Sequence, residues 1–131
     1  SKYRMLAQKE FSKKNKLGFF KTHSANVEVD KHQYTNEKHT LGAIYIIRDP
    51  RDIVVSYSKY MNINIEKAIE TLMNSEKIHF TGIKGENSLP YILGSWNINL
   101  ESWESLSVPK LIIRYEDMIK DIELIILKII N

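Results

Sequence analysis

The side chains best suited to hold an anion or move a proton sit where two apolar runs stop. The run Ala43 to Ile47 gives way to Arg48, Asp49 and Pro50, and Ser56 follows eight positions after Arg48. An arginine's planar fork grips a phosphate-like group through two charge-assisted hydrogen bonds, and a serine roughly two turns into a following helix adds a hydroxyl. Earlier, Gly18 to Thr22 reads as a short strand that delivers Lys21 and His23 to its end. Side chains alternate along a strand, so an ammonium and an imidazole there point into one space. Histidine is the side chain that exchanges a proton near neutral pH. Blander roles fit the same residues: Arg48 can pair with Asp49 or Asp52, and a lone histidine or lysine after a strand is commonly a surface or capping group.

These groups need a frame. Ala43 to Ile47 is a short β-branched run, the pattern of a strand buried on both faces of a parallel sheet. Asp49 suits an N-cap, Pro50 the first helical position and Asp52 the positive end of the helix dipole, so a helix is predicted from about Pro50 to near Met61. Ligands of open α/β sheets gather at such strand ends, beside free helix amides. Asn64 caps a second helix to about Asn74, with Ile65, Ala68, Ile69 and Leu72 as its apolar face. Leu93, Trp96, Leu100 and Trp103 recur at three- and four-residue steps, a core-facing helical stripe. Pro109 opens a third strand, Lys110 to Tyr115, followed by Glu116 and Asp117 as capping acids. A last helix from about Met118 carries Ile122, Ile125, Ile126 and Ile129 on its inner side. Ser1 to about Asn15 reads as a helix, Ser24 to Thr40 as a polar loop, and Gly82 to Pro90 as a turn-rich connection. Strands alternating with helices imply an α/β fold, a parallel sheet flanked by helices, although three strands are few for this many helices.

The segment IYIIRDPRDIVVSY, with arginine at the strand end and serine eight positions on, resembles the 3′-phosphate-binding segment of sulfotransferases that use 3′-phosphoadenosine 5′-phosphosulfate (PAPS). FFKTHSA at Phe19 to Ala25 resembles that family's lysine-threonine-histidine segment, and IIRYEDM at Ile112 to Met118 its later strand. GSW with a second tryptophan seven residues on is similar too, and those aromatics are assigned to packing. The resemblance implies a P-loop nucleotide-hydrolase-like sulfotransferase fold with PAPS as co-substrate and neither a metal nor a covalent intermediate. It implies that His23 removes the acceptor's proton, that Lys21 stabilises the transferring group, and that Arg48 and Ser56 bind the 3′-phosphate. Tyr115 matches a tyrosine near the adenosine; a strand-end aromatic closing the core is the other role open to it.

The departures bear on the same expectation. The family's phosphate loop has no counterpart before Lys21, and the later glycine-rich basic segment is absent. Ser24 and Ala25 stand where many relatives have leucine and proline, which leaves the acceptor open. The resemblance runs from about Phe19 to the C-terminus, so residues 1–131 are expected to be a single partial, incomplete domain that is inactive in isolation. Two other classes fit the residues: a degenerate nucleotide- or phosphate-binding module, and a related phosphotransferase, which would carry a Walker loop and magnesium ligands.

Composition bounds the choice. With 131 residues, 43% hydrophobic and 27% charged, the chain can build one core. No stretch approaches the roughly 18 consecutive apolar residues of a membrane span. The absence of cysteine excludes disulfides and thiolate chemistry. Net charge is only +3, while the first 21 residues hold a local excess of +6, without the interleaved aromatics of a nucleic-acid surface. His32, His39 and His79 show no metal-ligand spacing. The expected partner is a small-molecule or glycan acceptor, with no nucleic acid, no membrane and a cytoplasmic location; the oligomeric state stays open.

Overall fold

A computed structural model describes residues 2–14, 16–28, 31–74, 78–80 and 90–130. Two strands form the centre: β1 (Ala43–Ile47) and β2 (Lys110–Arg114) pair in parallel, with Ala43 opposite Lys110 and Ile47 opposite Arg114. One step beyond that register, Arg48 and Tyr115 leave the sheet side by side at its carboxyl end. The sheet is the small parallel one expected of an incomplete α/β fold. Ile44 and Ile46 are 42% and 50% exposed, so β1 is not buried on both faces as its composition predicts. A two-stranded sheet leaves apolar surface without a covering layer.

Two of the helices start where their capping chemistry says they should. Asp49 accepts a hydrogen bond from the Arg51 amide and opens α1 (Pro50–Met61), with Pro50 in the first turn where its missing N–H costs nothing. That helix ends on Asn62 in the left-handed region, φ 52°, whose amide closes the last turn. Asn64 accepts from the Lys67 amide and opens α2 (Ile65–Met73). The fully buried Ala68 and Thr71 belong to α2, and the two helices pack together. Between them, with Trp96 at one end, lies an open apolar groove of about 430 Å³, lined by Pro50, Val54, Ile65, Ile69 and Leu72.

The helix α3 (Trp96–Glu104) contacts β1 and sits over Tyr45. After β2 the chain makes α4 (Tyr115–Lys120), breaks at Asp121, and resumes as α5 (Ile122–Ile130). The break corrects the single last helix predicted from sequence. Asp121 takes up φ −150° and ψ 82°, and its carboxylate accepts from the Leu124 amide, a capping bond that restarts the helix. Of the four isoleucines expected on the inner side, Ile125 alone is buried. Glu116 and Asp117 lie in the first turn of α4 rather than capping it; the cap position is Arg114, with no side-chain bond.

Upstream, α0 (Lys2–Ser12) covers the predicted first helix. Gly18 to Thr22 is not a strand: among the described residues no third strand joins β1 and β2, and a strand exists only by its partner. The segment exposes Phe19 at 79%, while Phe20 meets Phe11 of α0 edge-on, ring centroids 5.0 Å apart. A short antiparallel pair, β1′ (Ile78–Phe80) with β2′ (Pro90–Ile92), precedes α3. The predicted turn-rich connection falls between those strands, and up to residue 89 it lies outside the described residues.

The polar stretch after His23 lacks regular structure yet forms part of the core. Ser24, Ala25, Asn26 and Thr35 are all buried. Such a segment is stable only if its backbone polar groups are satisfied. The Ala25 amide donates to the Ile92 carbonyl at 2.8 Å, the Asn26 amide to Ser102 Oγ at 2.9 Å, and the Thr35 amide to Asn26 Oδ1 at 3.0 Å. Gln8 of α0 closes the loop by accepting from the Thr35 hydroxyl at 2.7 Å.

Candidate active site

Arg48 emerges from β1 half-buried, and its guanidinium carbon lies 4.5 Å from the centre of the Tyr115 ring. That is cation–π geometry. Its Nε is buried and has no hydrogen-bond acceptor among the described residues. Neither acid proposed as its partner takes it. Asp49 pairs instead with Arg51, which donates through Nε at 3.0 and 3.2 Å and also through Nη2. That fork, the Arg51 amide and the charge of nearby Arg114 hold the Asp49 carboxyl down at about 2. With Asp49 committed to Arg51, no carboxylate pairs with Arg48 among the described residues. A desolvated guanidinium N–H without an acceptor costs stability unless a ligand supplies one.

The parallel register therefore brings two of the sequence-predicted site residues together, Arg48 and Tyr115. Ser56 is exposed on α1, about two turns in, with no hydrogen bond to Arg48 among the described residues. Lys21 and His23 are both exposed on the irregular segment before the buried loop. Beside Tyr115, Glu116 keeps one buried carboxylate oxygen, Oε1, without a partner among the described residues; the other lies 3.7 Å from Arg114 Nε. Among the described residues, no group of three or more histidine, cysteine or acidic side chains could hold a metal ion. No helix there is long and apolar enough to cross a membrane.

What fixes the two segments is α3, and sequence analysis missed how. Its stripe reads as apolar packing, yet the side chains at 96, 99 and 103 carry N–H donors at helical spacing, on one face. Trp96 Nε1 donates to the Arg48 carbonyl at 3.3 Å. Asn99 Nδ2 donates to the His23 carbonyl at 3.3 Å and to the Leu93 carbonyl at 2.7 Å, while its Oδ1 accepts from the Tyr45 hydroxyl at 3.0 Å. Trp103 Nε1 donates to the Ser24 carbonyl at 3.0 Å, and its ring meets Tyr34 with centroids 5.9 Å apart. Burial, aided by Glu104, pushes the Tyr45 phenol's pKa up, so the hydroxyl stays protonated and donates. The signal was present in the sequence: tryptophan and asparagine, both donors, at steps of three and four.

The strand end thus offers an arginine whose buried Nε has no acceptor among the described residues, beside an aromatic ring, and α3 ties its backbone to that of the lysine-histidine segment. Such an arrangement can bind a phosphate-like anion against an aromatic face. The family model for the sulfotransferase domain matches residues 3–131, which extends the likeness upstream of Phe19, where the recognisable motifs begin. No curated protein gives a significant match to the chain.

Proposed function

The chain belongs to the sulfotransferase-domain family, and on that premise we propose that it moves a sulfuryl group from PAPS to a hydroxyl or amine of a small-molecule or glycan acceptor. One observation carries the nucleotide half of this reading: Arg48 has a buried N–H without an acceptor among the described residues and lies over the Tyr115 ring. A 3′-phosphate supplies the missing acceptor, and Tyr115 offers its face to the attached adenosine. Ser56 adds a hydroxyl from α1.

In the transfer, the acceptor oxygen forms a bond to sulfur as the bond from sulfur to the 5′-phosphate oxygen breaks, leaving adenosine 3′,5′-bisphosphate. The His23 imidazole takes the acceptor's proton, and the Lys21 ammonium offsets charge on the sulfuryl and departing phosphate oxygens. No step calls for a metal. His23→Ala in the full-length protein is expected to lower transfer by about 100-fold or more, the usual worth of a positioned general base, with little change in bisphosphate affinity. Near-normal turnover would remove His23 as the base. A second reading, a phosphate-binding module without catalysis, draws on the exposure of Lys21 and His23 outside any strand. It expects bisphosphate binding with no transfer from PAPS by the wild type.

A further inference from the structure

We propose that Asn99 is a positioning residue, one that fixes His23 relative to the strand ending in Arg48; the inference rests on the assignment of His23 as the base. Among the described residues the segment carrying His23 has no ladder to hold it, and its side chain is exposed. Its backbone carbonyl is held from α3. Asn99 uses both N–H bonds on carbonyls, those of His23 and Leu93, and its oxygen on the Tyr45 hydroxyl. Two carbonyls can only accept, so the amide must present its NH₂ group to them and its oxygen to the phenol. The side chain thereby bridges three elements: the histidine segment, the turn before α3, and β1, three residues before Arg48.

The neighbouring bonds reinforce that bridge on both sides. Trp96, one turn earlier on the same face, holds the Arg48 carbonyl, and Trp103, one turn later, holds the Ser24 carbonyl next to His23. Gly94, at φ +68°, makes the turn that brings the Leu93 carbonyl back to Asn99. One face of α3 therefore sets the separation of the candidate base from the candidate phosphate site. In-line transfer is sensitive to such spacing, since a misplacement of about 1 Å can cost about 100-fold in rate.

Asn99→Asp is the decisive substitution. It keeps an oxygen for Tyr45 and replaces the NH₂ donor with an acceptor facing two carbonyls, at nearly unchanged size. In the full-length protein kcat is expected to fall about tenfold or more, with the KM for PAPS and the affinity for adenosine 3′,5′-bisphosphate within about twofold of wild type. In a His23→Ala background the same change is expected to cost nothing further, which a merely structural role would not produce. Unchanged kcat in a folded Asn99→Asp protein, or a full additional loss in the double variant, overturns the inference. Should Asn99→Asp not fold, Tyr45→Phe, which deletes a single hydroxyl, decides in its place: a lower kcat at constant KM supports the bridge, and an unchanged kcat overturns it.

Failure of this inference is separable from failure of the base assignment. If His23→Ala keeps its turnover, the base assignment falls; if His23→Ala is dead while Asn99→Asp is normal, positioning alone falls. Should the wild type transfer nothing, the His23 imidazole NMR signals decide. The inference expects them to move in Asn99→Asp and in Tyr45→Phe while those of His39 stay in place; unmoved His23 signals overturn it.

Discussion

Arg48→Ala should weaken binding of adenosine 3′,5′-bisphosphate strongly while leaving the fold as stable as before. The magnitude follows from two opposed terms. A hydrogen bond to a charged group contributes about 1.5–3 kcal/mol, and the Arg48 fork in a partly desolvated strand end belongs near the top of that range. A loss of about 2–3 kcal/mol corresponds to an affinity about 30- to 140-fold weaker. In the unliganded protein the substitution forfeits the contact with Tyr115, worth about 0.5–2 kcal/mol. It also removes a buried donor that has no acceptor among the described residues, a relief of about 1–3 kcal/mol. The two nearly cancel, so the midpoint of thermal unfolding should stay within a few degrees. Calorimetric titration of both proteins at two salt concentrations is the assay, and the wild-type preference should shrink as salt rises. Equal affinity in the variant refutes the phosphate assignment, and an unfolded variant refutes the claim that Arg48 is held for a ligand rather than for the fold.

Three further outcomes follow from named contacts. Asp49 titrates at about 2 when folded, below the ordinary value near 3.9 of an unfolded aspartate. The folded chain thus binds fewer protons there. The Asp49 contribution is fully present above about pH 4 and is lost as pH falls toward about 2; Asp49→Asn should flatten that limb of a plot of melting temperature against pH, and an unchanged limb counts against the Arg51 pair. Gly94→Ala puts a side chain at φ +68° with its Cβ 3.4 Å from Ile98 Cγ2. It should lower the stability read from urea denaturation by about 1–2 kcal/mol, and an unshifted midpoint contradicts the turn geometry. Ala68→Leu forces a larger side chain into a fully buried position on α2. A loss of about 1–3 kcal/mol is expected by the same measurement, and full stability would show that position to be loosely packed.

Local chemistry made much of this chain legible. Asp49 with Pro50 and Asn64 are caps whose side chains bond where their types require, so α1 and α2 begin as predicted. The β-branched runs found both strands of the parallel sheet but not the short antiparallel pair, and three motifs found the family. Partnership was harder to read. Gly18 to Thr22 has strand composition, but pairing depends on a neighbour that composition does not reveal. Residues 24–40 carry no hydrophobic period because their burial is satisfied by long-range polar bonds to Gln8, Ser102 and Trp103. The break at Asp121 interrupts an apolar period that runs on through it, and only the aspartate's capping habit marks it. For Arg48, the choice among acids was open because Asp49 lies within reach of two arginines, and Arg51, in the first turn of the helix that Asp49 caps, takes it.

The most direct test of a 3′-phosphoadenosine site at this strand end is calorimetric titration of the folded wild-type chain with adenosine 3′,5′-bisphosphate and, in parallel, with 5′-AMP. The two ligands differ by the 3′-phosphate that Arg48 and Ser56 are assigned to hold. Tighter binding of the bisphosphate, by about tenfold or more, is the predicted result. Equal affinity for the two, or binding of neither, would contradict it.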